Sequence, residues 1–183
     1  LASCGVSLEN VSLNALSDKH VLIVGPQNKT RIGDHAAPVM NWVRNGGHLL
    51  GIGLALEDAG AVLPFQVDIQ QGEHIATYFE PAALDSFLVG VGPAEVHNRV
   101  PKEIPLVASG MKALGNGALA EAEAYNAVLC QLAPWDFKSE AQDNKKRTYR
   151  RVNYLLTRLM ANLGIAGTTP ILERFGEPVE DPD

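Results

Sequence analysis

The stretch EHIATYFEP (73–81) places Glu73, His74, Tyr78 and Glu80 close together. An imidazole, a phenol and two carboxylates can hold a sugar hydroxyl or move a proton. A second polar group, Glu95, His97, Asn98 and Arg99, falls in GPAEVHNR (92–99), an expected loop. Loops on α/β scaffolds often carry binding groups. If the two segments meet, His74, Tyr78, Glu80, His97, Asn98 and Arg99 become the ligand-binding candidates. On a strand, His74, Ala76 and Tyr78 would share one face, and that face can equally be an ordinary half-exposed surface. Glycoside cleavage requires two carboxylates about 5–9.5 Å apart. Glu73, Glu80, Asp85 and Glu95 are available, but with 21 acidic residues some pairing is inevitable, so it decides nothing. No His, Cys, Asp or Glu group has a recognised metal-ligand spacing. Neither a metal nor a cofactor is expected. Cys4 and Cys130 are too few for a disulfide framework. Cys130, inside AVLCQL, reads as a buried, inert thiol.

A different kind of group sits near the C-terminus. Lys138, Lys145, Lys146, Arg147, Arg150, Arg151 and Arg158 are seven of the fifteen basic residues. Their density would suit a polyanion, but the formal net charge is −6 and no nucleic-acid fold signature accompanies them. Nucleic acid is therefore not an expected partner. The group reads as facing solvent, the acidic stretch EPVEDPD (177–183) or another domain, with Arg147, Arg150 and Arg151 as interdomain candidates. No run approaches the roughly 20 apolar residues of a membrane span, so no membrane is expected. The first residue is Leu1 rather than Met, which suggests a segment of a longer protein and leaves localisation unread.

The elements that position these residues follow from periodicity. With 183 residues, 46% hydrophobic and 20% charged, a single domain over 1–175 is expected, with 176–183 as an acidic tail. SLENVSL (7–13) reads as a short strand. HVLIVGP (20–26) and HLLGIG (48–53) are continuous apolar runs, suited to parallel strands buried on both faces. Between them, 34–47 is a helix stopped at Asn45-Gly46-Gly47, which makes a βαβ unit. FQVDIQ (65–70) and HIATYF (74–79), joined by QGE, suggest a hairpin. SFLVGVG (86–92) and IPLVAS (104–109) are further apolar runs. ALAEAEAYNAVLCQL (118–132) reads as two strands folded around 124–126, although its first half also suits a helix by propensity. The clearest element is 143–164, where Val152, Leu155, Leu156, Leu159, Met160 and Leu163 recur at helical spacing and Gly164 marks the stop. There is no internal repeat.

GIGLALE (51–57) resembles the G-I-C-L-G-x-Q elbow of class I glutamine amidotransferases, matching at Gly51, Ile52 and Leu54. Gly53 stands where the nucleophilic cysteine belongs. QLAPW (131–135) resembles their Q-F-H-P-E stretch, with Ala133 in place of the histidine and Trp135 in place of the glutamate. A nucleophile needs a base and a group to orient it, and these three positions supply none. The resemblance thus implies a flavodoxin-like, class I amidotransferase-like central, mostly parallel sheet flanked by helices, with added antiparallel hairpins and lost chemistry. GEHIATYFEP, GVGPAEVHNR, LGNGALAEA and the run from 128 to 164 further resemble the amidotransferase-like accessory domain of large bacterial glycoside hydrolases, either β-galactosidase-like or of the family 2 sugar-binding kind. In family 42 β-galactosidases a similar domain follows the catalytic barrel and supports trimerisation. This resemblance implies a non-catalytic domain whose partners are the rest of a parent chain, further copies of itself or carbohydrate. Two other functions remain open: a small-molecule or sugar-binding module using the vacated pocket, and an enzyme with a new site around His74 and His97.

Overall fold

Successive side chains of a strand point to opposite faces. In β2 (His48–Ile52) and β7 (Ala127–Cys130) both faces are apolar. Leu50, Ile52, Val128 and Cys130 belong to one buried cluster, and Leu49, Ala127 and Leu129 to the other. A sheet that is apolar on both faces must be covered on both. The computed structural model, which describes residues 6, 8, 9, 11–75, 77–137 and 143–165, supplies the two covers. On one side lies α4 (Asp143–Asn162), packed through Val152, Leu155, Leu156, Leu159 and Met160. On the other lie α1 (Lys29–Ile32), α2 (Ala36–Arg44) and α3 (Leu56–Gly60), through Ile32, Val39, Val43 and Ala59. The protein is a mixed α/β fold.

The main sheet has five strands in the order β1-β2-β7-β6-β5. β1 (Val21–Val24), β2 and β7 are parallel, with Val21 opposite His48 and Leu49 opposite Ala127. β6 (Leu119–Glu121) and β5 (Lys112–Leu114) continue the sheet in antiparallel sense. The sheet is therefore mixed, with parallel and antiparallel halves, rather than mostly parallel. β3 (Asp68–His74) and β4 (Lys102–Ser109) form a separate antiparallel pair.

Several expectations are met. The 118–132 segment is a hairpin of β6 and β7, the βα elements at 20–53 are present, and α4 buries the anticipated side chains. Gly164 ends α4 as a left-handed C′ residue (φ 94°). Its N–H donates to Ala161 O at 3.0 Å and that of Ile165 to Met160 O at 2.8 Å, the paired bonds of a Schellman motif. Lys138, Cys4 and the stretch 166–183 lie outside the described residues.

Others are corrected. β1, expected to be buried on both faces, lies at the sheet edge among the described residues and is only half-buried over 21–23. Leu13–Ala15 is a 3-10 turn capped by Ser12 rather than the end of a strand. QGE is not a turn: Gln71, Gly72 and Glu73 lie within β3, whose partner is β4, with Gly72 opposite Ile104. A Cβ at Gly72 would come 2.8 Å from Leu106 Cδ1, so this glycine marks close packing, not chain reversal. SFLVGVG folds into turns because the buried Glu121 carboxylate accepts from Ser86 Oγ (2.5 Å) and Phe87 N (3.1 Å).

Candidate functional site

The C-terminal ends of β1, β2 and β7 converge. β2 leads into Gly53, which is left-handed (φ 62°) and donates its N–H to Cys130 O at 2.9 Å. Such a conformation favours glycine, since L side chains there crowd the backbone. A Cβ at Gly53 would lie 3.3 Å from Ala133 Cβ and 3.8 Å from Trp135 Cζ2. A Cβ at Gly25, just beyond β1, would lie 3.8 Å from Trp135 Cη2. The structure thus brings Gly53, Ala133 and Trp135 together, with the half-exposed indole over two strand ends. The turn carrying Trp135 is anchored by Lys102, whose Nζ donates to Asp136 O at 2.7 Å, lies 3.5 Å from Asp136 Oδ1 and sits 5.1 Å from the Phe137 ring centre.

The polar groups near this point are committed to structure. Asp58 is buried and accepts from the backbone N–H of Gln27 (2.9 Å) and Lys29 (3.0 Å), pinning the loop after β1 to α3. Glu57 forms an exposed ion pair with Lys29 at 3.0 Å. Gln131 is fully buried and donates Nε2–H to Leu54 O at 3.1 Å, while its Oε1 has no partner among the described residues. The thiol of Cys130, at the end of β7, is fully buried, and burial pushes its pKa up to about 12. A thiol held neutral is a poor nucleophile. Among the described residues these groups form no nucleophile–base pair.

The second predicted group does assemble, but as packing. His74 is buried at 3% exposure, with Nε2 bonded to Val96 O at 2.6 Å, and Asn98 N donates to Ile75 O at 2.5 Å. The segments 73–75 and 95–98 therefore meet through a clamp rather than an open pocket. Asn98 is buried and exchanges hydrogen bonds with the backbone of Val100, while Arg99 is exposed. Because β3 ends at His74, the expected shared face with Tyr78 does not form. Tyr78 is 77% exposed, and its hydroxyl donates to Glu80 Oε1 at 2.8 Å. That bond holds the phenol above its ordinary range. Of the interdomain candidates, Arg147 and Arg150 are exposed, whereas Arg151 is half-buried and donates Nη1–H to His97 O at 2.5 Å. Arg151 is thus tied within the chain, and the carbonyl of His97, not its ring, makes this contact.

Two open clefts that the sequence did not suggest lie at the opposite end of the sheet, around the 122–126 connection. One, of about 490 Å³, is walled by Phe65 and Tyr125, stacked at 5.2 Å, with Met111, Lys112 and Glu123. The other, of about 520 Å³, is lined by Asp85, Phe87, Glu121 and again Lys112, Glu123 and Tyr125. The alternation of Ala and Glu in 118–123 makes no wet strand face there, because residues 118–121 are all buried, Glu121 included. Among the described residues no group of three or more His, Cys, Asp or Glu side chains could hold a metal ion, and no helix is long and apolar enough to cross a membrane.

No family model, curated protein or solved structure matches the chain.

Proposed function

We propose that this chain is a non-catalytic accessory domain of a carbohydrate-active enzyme, a β-galactosidase-like glycoside hydrolase, serving assembly or substrate-side contacts. One observation carries the non-catalytic part: Gly53, Ala133 and Trp135 converge at the strand ends, and an indole lies where a nucleophile would project. Acyl transfer at such an elbow requires an activated nucleophile, and none of these three side chains can provide or activate one. The parent class rests on the sequence resemblance of 72–164 to accessory domains of that kind. The alternative, a sugar or small-molecule module using the vacated pocket, is weakened by the same indole, which lies over both Gly25 and Gly53.

Purified 1–183 is incubated with glutamine and, separately, with a nitrophenyl β-galactoside. Ammonia and nitrophenol are both expected at the level of the protein-free blank. Either product above blank, abolished by removing the protein, overturns the non-catalytic reading. The parent class is tested on the reading frame upstream of Leu1, which should encode a catalytic barrel.

A further inference from the structure

α4 carries six basic residues and one acidic one, in a chain of net charge −6. Five of the six, Lys145, Lys146, Arg147, Arg150 and Arg151, fall in its N-terminal half. That is the wrong end for cations, because the helix macrodipole is positive there. Arg147, Arg150 and Tyr154, all exposed, follow one another at three- and four-residue spacing and form a stripe facing away from the core, which the half-buried Arg158 continues. Arg158 leans back over Tyr154, 5.2 Å from its ring centre, and Arg151 is held by His97 O. Lys146, Arg147 and Arg150 are exposed and form no ion pair among the described residues. The fold thus concentrates uncompensated positive charge on one outward stripe.

We infer that this stripe docks the chain's own acidic stretch EPVEDPD (177–183), which lies outside the described residues. Its four carboxylates, Glu177, Glu180, Asp181 and Asp183, are complementary to the stripe. The connection is long enough. Eleven residues lie between Ile165 and Glu177, and the connection can span about 40 Å when extended. Ile165 to Lys146, taken along the helix, covers only about 28 Å. A tethered segment binds at a high effective concentration, so modest pairwise attractions suffice. A long polyanion is a poorer occupant, since the net negative charge of the whole chain repels it at a distance. The inference does not depend on the non-catalytic reading.

Zero-length carbodiimide coupling on the full 1–183 chain tests it, because the reagent joins only a lysine amine and a carboxylate in contact. Peptide mapping should find Lys145 or Lys146 joined to Glu177, Glu180 or Asp181. An equal mixture of 14N and 15N protein should show these joins within one copy. In about 1 M NaCl, where screening falls to about 3 Å, the yield should drop roughly tenfold. The double variant Arg147→Glu/Arg150→Glu should lower it comparably while keeping the wild-type helical circular dichroism. No joins to 177–183, joins only between copies, or a yield indifferent to both salt and charge reversal would each overturn the inference. Joins only between copies would assign the stripe to a second copy instead.

Discussion

The two ends of the sheet differ in kind. At the C-terminal ends of the parallel strands, Trp135 covers Gly25 and Gly53, and the Asp58 carboxylate and the Gln131 amide N–H are spent on backbone contacts. At the other end, around 122–126, two clefts stay open, lined by Tyr125, Lys112 and Glu123. Open α/β sheets usually bind ligands beyond the carboxyl ends of their strands. Here one large, half-exposed side chain lies over that end. The difference teaches that the strand arrangement offers a location, while the side chains at the strand ends decide whether the location is usable.

The largest expected effect is at the closed end. Leu54, fully buried just past Gly53, should cost about 2–5 kcal/mol when truncated in Leu54→Ala, read as a shift in urea midpoint at unchanged slope. Gly53→Ala should be milder, about 1–2 kcal/mol, since it forces an L side chain into a left-handed conformation against Ala133. Gly53→Cys should release no ammonia from glutamine, because no base stands beside it; ammonia release would reopen the closed end as a site. Reagent access gives a third measure. In a Cys4→Ser background, Cys130 should resist Ellman's reagent at neutral pH and react on unfolding, since burial keeps its thiol neutral up to about pH 12. The raised pKa means that its contribution to stability is complete below the unfolded thiol value and fades as pH climbs from there through about 12. The smallest effect belongs to the open end. Glu123→Gln should change stability by less than about 0.5 kcal/mol, as exposed charges rarely matter more. A larger loss would mean that this end, too, is structurally committed.

How much of this was legible depended on how local the signal was. α4 was readable because six apolar side chains keep strict helical spacing and Gly164 punctuates them. β1, β2 and β7 were readable as apolar runs, but nothing local says that β7 enters between β2 and β6. β5 was missed because Lys112–Leu114 is too short to alternate. β3 was misplaced because a strand glycine packed against Leu106 is indistinguishable, in sequence, from a turn glycine. His74 is a tertiary case: its partner is a backbone carbonyl at Val96, a group that every residue possesses. The proximity of Gly53, Ala133 and Trp135 joins positions about 80 residues apart, which no local pattern encodes. The clefts were invisible, since their walls come from 65–66, 85–87, 110–112 and 121–126.

The strand order also constrains how the chain acquires its fold. Leu49 of β2 pairs with Ala127 of β7, a separation of 78 residues. During vectorial synthesis, β1 and β2 emerge early and can pair, but the inner edge of β2 has no native partner until β7 leaves the ribosome. An apolar strand edge left open that long invites pairing with other chains. Closing a contact of such sequence separation is also slow. The hairpin of β6 and β7 is local and can form as a unit, so its docking onto β2 is the step that ends the exposure.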